Sequence, residues 1–184
     1  MNTITLDITN SLKSSGNRGG IEKKAINKTA SELGRYNQAL WKNPYGFMEL
    51  PGKRLQFETI KKLAGKHKRG RIKNLVLLGI GGSSLGTETI FDALLHPFHN
   101  YGSDIRKGLP QYFILDNIDP HTINRIFDIV RKDLEHTLLV VISKSGETPE
   151  TISQFMIFKK LMEKGKNFRD RIILITDQKK GILK

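Results

Sequence analysis

Two short stretches carry the residue types that could do chemistry. The first is Ser143-Lys144-Ser145-Gly146-Glu147-Thr148-Pro149-Glu150-Thr151, which packs three hydroxyls and a lysine into six residues. Hydroxyls and backbone N–H groups satisfy phosphate oxygens in fixed directions, and lysine adds a charge. A plain helix start would use Thr148 as cap, Pro149 as the first helical residue and Glu150 and Thr151 in the first turn. It would not require Ser143, Ser145 and Gly146. The second stretch is Gly79-Ile80-Gly81-Gly82-Ser83-Ser84-Leu85-Gly86. Its glycines let the backbone approach a ligand closely and take up positive φ. Ser83 and Ser84 add hydroxyls, and a helix beginning here would present free N–H groups and a positive dipole end. The chemistry common to both stretches is phosphate binding.

Neither stretch is a standard nucleotide motif. Read from Gly81 to Gly86, the P-loop spacing fits, but Thr87 stands where the lysine belongs. Gly79 and Gly81 open a dinucleotide fingerprint, but Ser84 replaces its third glycine, so NAD is not expected although Asp116 ends a predicted strand. With no cysteine, a thiol nucleophile, an iron–sulfur cluster and a thiolate zinc site are excluded. His67, His96, His99, His121 and His136 are scattered, and Pro97 breaks the one close pair, so no metal site is expected.

The elements that must position these residues are legible in the apolar spacing. Ile21, Ala25, Ile26, Ala30, Leu33 and Leu40 predict a helix that Asn43-Pro44 ends. Tyr45–Lys53 reads as a loop. Leu55, Ile60, Leu63 and Ala64 predict a second helix punctuated by Gly65 and Gly70. From residue 74 the pattern alternates. Strands are predicted at Asn74–Gly79, Gln111–Asp116, Thr137–Ile142 and Arg171–Thr176, the first buried on both faces. Helices are predicted between them, through Leu85–Leu95, behind Asp119-Pro120, and behind Thr148-Pro149 with Gly165 as C-cap. Strand–helix alternation predicts an α/β fold, a three-layer αβα sandwich on a parallel sheet. The expected division is an N-terminal helical segment at 1–73, with a flexible start over residues 1–20, and a binding domain at 74–184. The last strand lies eight residues from the end of the sequence, which predicts a fragment of a longer protein. In open parallel sheets ligands bind beyond the carboxyl ends of the strands, and both stretches fall there. They are expected to converge on one phosphate.

Composition sets the outer bounds. The chain has 184 residues, 38% hydrophobic and 27% charged, which is globular and neither fibrous nor disordered. Its longest apolar run, Leu75–Leu78, is far too short to span a bilayer, and residues 1–20 lack a signal-peptide core. A cytoplasmic location and no membrane partner are expected. The net charge is +13. Nine Lys and Arg lie between Lys53 and Lys73 against one acid, and nine between Lys159 and Lys184 against three. Such charge attracts phosphates on metabolites or nucleic acid, though most charge runs are solvated surface.

The paired motifs, with Asp116-Asn117-Ile118-Asp119-Pro120 between them, resemble the glucose-6-phosphate isomerase family and its first sugar isomerase (SIS) domain. The resemblance covers roughly residues 40–184. It implies an SIS-type fold and an aldose–ketose isomerase of glycolysis and gluconeogenesis. That enzyme interconverts glucose 6-phosphate and fructose 6-phosphate without cofactor or metal, by proton transfer between C2 and C1 through an enediol. It implies that Gly82, Ser83, Ser84, Ser143, Lys144 (through its backbone), Ser145 and Thr148 hold the substrate phosphate, with Glu150 in a supporting role. The family's catalytic base, ring-opening histidine, arginine and later lysine fall outside the matched region. No catalytic residue is therefore assigned, and this chain alone is expected to be inactive. The resemblance further implies a homodimer for the full-length protein. Glu147 stands where many such isomerases have threonine or glycine, and its carboxylate is expected to point away from a phosphate. The Ser-Gly-Glu-Thr version is also similar to SIS domains of amino-sugar enzymes. The alternatives are therefore an amino-sugar-phosphate domain or a non-catalytic sugar-phosphate-binding module; nucleic acid as a partner is not favoured.

Overall fold

The computed structural model describes residues 5–13, 19–67 and 72–184. Of the start expected to be flexible, residues 1–4 and 14–18 lie outside the described residues, as does Gly70. The chain divides into two compact units, residues 1–60 and 61–184. In the first, α1 (Lys23–Lys42) follows the predicted spacing and stops at Asn43, whose φ of −133° and ψ of 74° are the non-helical geometry the Pro44 ring imposes. The stretch expected to be a loop instead holds a short helix, α2 (Gly46–Glu49), and a 3-10 turn at Leu50–Gly52. Local i to i+3 bonding, such as Met48 N–H to Tyr45 O at 2.8 Å, suffices to close those turns. Next, α3 (Arg54–His67), whose residues from Lys61 onward belong to the second unit, runs straight through Gly65, which costs a helix only about 1 kcal/mol.

The second unit carries the parallel sheet. Its strands are β1 (Asn74–Leu78), β2 (Gln111–Leu115), β3 (Thr137–Ser143) and β4 (Ile172–Thr176), in the order β2-β1-β3-β4. All pairings are parallel, and the register sets Leu78 beside both Leu115 and Val141, and Ser143 beside Thr176. The four C-terminal ends therefore lie along one edge.

Alternation along the strands sorts the two faces. Val76, Leu78, Leu139 and Val141 join Ile123, Ile126 and Val130 of α6 (Pro120–Val130) and Phe158, Leu161 and Met162 of α7 (Pro149–Met162) in one core. Phe158 is fully buried there, and truncating such a side chain costs about 3–5 kcal/mol. On the opposite face Phe91 of α4 (Leu85–Leu94) packs at 4.3 Å, tilted, against Tyr112, whose strand neighbours Phe113 and Leu115 pack into the first core. Helices on both faces make the α/β sandwich. A further short helix, α5 (Ser103–Arg106), leads into β2.

One helix end departs from expectation. Gly165 is not a left-handed cap: α7 ends at Met162, and the left-handed residue is Asn167, at φ 51°. Asparagine tolerates that region because its short polar side chain bonds locally. Two histidines are tied up in turns. His99, buried, bonds the Pro110 carbonyl through Nε2 at 2.9 Å, and His96 Nδ1 accepts the Phe98 N–H. Among the described residues no helix is long and apolar enough to cross a membrane.

Candidate functional site

The loop after β1 turns back on itself within five residues. Gly79 donates to the Leu115 carbonyl at 3.2 Å, and a Cβ there would lie 3.1 Å from that of Ser83. Gly81 has a φ of 55°, in the left-handed region. The Gly81 carbonyl then accepts both the Ser84 N–H at 3.0 Å and the Ser84 hydroxyl at 3.1 Å. Ser84 is completely buried. Its hydroxyl is engaged within the loop, on the Gly81 carbonyl. Ser83 is half-buried and Gly82 exposed. No side chain caps α4.

The loop after β3 is built from hydroxyls. Ser143, buried, accepts the Gly146 N–H on its Oγ at 3.1 Å and sits 3.0 Å from the Thr148 hydroxyl. The Ser145 hydroxyl accepts the Glu147 N–H at 3.1 Å. Thr148 is the residue before α7, as its sequence position predicts, but its side chain makes no cap bond. The N–H groups of the first turn of α7 are left without a side-chain acceptor. Gly146 has a φ of 68°, and a Cβ there would meet the Thr176 hydroxyl at 2.8 Å. The segment after β4 supports the loop from beneath. Ile182 donates to the Gly146 carbonyl at 3.0 Å, and a Cβ on Gly181 would come within 2.3 Å of the Ser145 carbonyl oxygen.

β1 and β3 are neighbours, so the two loops stand side by side. A cavity of about 640 Å³ opens between them, lined by Gly82 and Ser83 from the first loop and Lys144 from the second. Thr87, Thr176 and Asp177 line it too. Thr176 ends β4 and Asp177 follows it at the same sheet edge; the rule that ligands bind beyond strand C-termini, applied to the fourth strand, points to them. Asp177 itself is turned to its own backbone, its carboxylate accepting the Lys179 and Lys180 N–H groups at 2.7 and 3.1 Å. Of the other expected contacts, Ser84, Ser143, Ser145 and Thr148 are not on its wall. Glu147 is exposed and Glu150 half-buried.

Two further contacts set the frame. Gln154 of α7, buried, donates to the Asn117 carbonyl at 2.7 Å, tying the segment after β2 to the helix that follows β3. Asp119 caps α6 with its carboxylate, and the hydrogen bonds from the Thr122 hydroxyl and N–H hold it below the usual carboxylate range.

The family model described as phosphoglucose isomerase matches residues 54–180. A glucose-6-phosphate isomerase of Rubrobacter xylanophilus is 31% identical over the whole of this chain, and one of Carboxydothermus hydrogenoformans is 35% identical over 85% of it. The chain spans only 42% and 34% of those two relatives. Among solved structures, a Thermus thermophilus protein described as hypothetical superposes with a TM-score of 0.70 at 26% identity, over 87% of this chain and 37% of its own. A glucose-6-phosphate isomerase of Chlamydia trachomatis gives 0.53 at 31% identity, over 69% of this chain and 23% of its own.

Proposed function

Because the chain belongs to the phosphoglucose isomerase family, we propose that it is part of an aldose–ketose isomerase acting on glucose 6-phosphate and fructose 6-phosphate, and that this part holds the substrate's phosphate. The observation that carries the reading is the convergence of Gly82, Ser83 and Lys144 on one cavity at adjacent strand ends. The Ser83, Ser145 and Thr148 hydroxyls and the first-turn N–H groups of α4 and α7 donate to the phosphate oxygens. Lys144 adds a positive charge, and Ser84 and Ser143 keep the two loops in shape from within. The phosphate thereby anchors the sugar so that C1 and C2 are presented to a base supplied by the remainder of the enzyme, which is positioning rather than proton transfer. The phosphate-holding unit begins at Asn74, works in the cytoplasm, and belongs to an enzyme that functions as a homodimer.

The test is a titration of the 15N-labelled chain with glucose 6-phosphate and with glucose. Saturable shifts of the Gly82, Gly86, Gly146 and Glu150 amides with the phosphate ester, and none with glucose, are expected. Shifts confined to other residues would reject the reading. Isomerase turnover by the chain alone would show that the base lies within it.

A further inference from the structure

The two basic stretches of the sequence, Lys53–Lys73 and Lys159–Lys184, are far apart in the chain, and the phosphate-holding reading uses neither. The structure brings members of both together at the sheet edge opposite the strand C-termini. Lys66 and His67 end α3, while Lys166 and Arg171 belong to the turn before β4, and all four line a cavity of about 560 Å³.

Arg171 is the unusual member. Its Nε and Nη2 are buried and have no hydrogen-bond partner. Its Nη1 lies 3.5 Å from the Asn167 carbonyl, longer than a good hydrogen bond. The guanidinium is pressed against the turn: a Cβ on Gly165 would fall 3.0 Å from Nη2. Arg171 nonetheless lines the cavity, and a buried cation without a partner is costly until an anion compensates its charge. The carboxylates of Glu135 and Asp170 also line the cavity, but among the described residues neither forms an ion pair with Arg171, Lys66 or Lys166. Asp170 acts on His67, whose pKa is nevertheless held below its ordinary value by burial and by Lys66. His136 is already engaged with Asp133.

We propose that this cavity binds a small phosphorylated anion, held by Arg171 with Lys66 and Lys166, at a site separate from the groove between the two hydroxyl-rich loops. Its volume falls within the ordinary range for small-ligand sites, about 300–1,000 Å³. Three cations converging on a concavity suit a dianion better than a single carboxylate. A nucleic-acid backbone would instead follow a basic stripe along the surface.

Inorganic pyrophosphate, titrated into the 15N-labelled chain, is the probe. Saturable shifts are expected at the Gly165 and Asn167 amides. Their apparent affinity should fall about tenfold in Arg171→Gln and about threefold in Lys166→Gln, in line with losing a charged hydrogen bond and an exposed charge. Lys166 is exposed, so its variant keeps the test decisive if Arg171→Gln does not fold. Absence of shifts at Gly165 and Asn167, or an affinity indifferent to Lys166→Gln, would overturn the proposal. So would an oligonucleotide duplex that shifts the same amides more tightly than pyrophosphate, since the occupant would then be a nucleic-acid backbone.

Discussion

Helices α6 and α7 begin alike in sequence, with a cap residue followed by proline, and end up doing opposite things. Asp119 turns its carboxylate onto its own helix, taking the Thr122 N–H at 2.8 Å, the His121 N–H at 3.3 Å and the Thr122 hydroxyl at 2.6 Å. Thr148 turns its hydroxyl backward to Ser143, at 3.0 Å, and leaves its helix uncapped by any side chain. One helix end carries its own anion; the other leaves its N–H groups and dipole without a side-chain cap, where the proposed phosphate would sit. The difference shows why two equal-looking cap signals at strand ends need not both mark a binding site. What decides is whether the preceding strand delivers a competing hydroxyl, as Ser143 does at the end of β3.

That contrast can be broken in several ways. The largest effect is expected from Gly146→Ala. It forces a side chain onto a φ of 68° and into the Thr176 hydroxyl at 2.8 Å, so it should cost about 2 kcal/mol or more in urea unfolding and abolish sugar-phosphate binding. Next is Thr148→Asp, which should make α7 resemble α6. The new carboxylate would occupy the first-turn N–H groups, raising thermal stability slightly while weakening glucose 6-phosphate binding at least tenfold by calorimetry. If affinity is unchanged, the open end of α7 is not where the phosphate sits. Asp119→Ala is the mirror experiment: the midpoint of thermal unfolding should fall by roughly 3 °C with no change in phosphate affinity. The smallest effect is in pH. Because the folded Asp119 is held below its unfolded value, its contribution is present above about pH 4 and is lost as pH falls through the folded pKa. The acid limb of the wild-type stability curve should therefore flatten in Asp119→Asn, measured by urea midpoints from pH 5 down to pH 2.

Much of this architecture was open to a reading of residues alone. Strands and helices of the second unit follow from local apolar spacing, and Pro44, Pro120 and Pro149 mark boundaries because the proline ring acts on its immediate neighbours. Both loops were legible for the same reason: their glycines and hydroxyls are contiguous in sequence. The parts that could not be read depend on residues far apart. The need for glycine at 146 comes from Thr176 and Gly181, more than 25 residues downstream. The presence of Thr176 in the groove depends on β4 pairing with β3.

The amino-acid sequence by itself determined the four strands, the long helices, the parallel α/β class and the two glycine- and hydroxyl-rich loops, because each rests on periodicity or on neighbours within one turn of chain. Only the tertiary structure decided the order β2-β1-β3-β4, which sets the β1 and β3 loops side by side, and the meeting of Lys66 with Arg171 at the far edge. Strand pairing is a contest among long-range contacts, each favoured by burial and opposed by chain entropy, and no local pattern records which pairing wins.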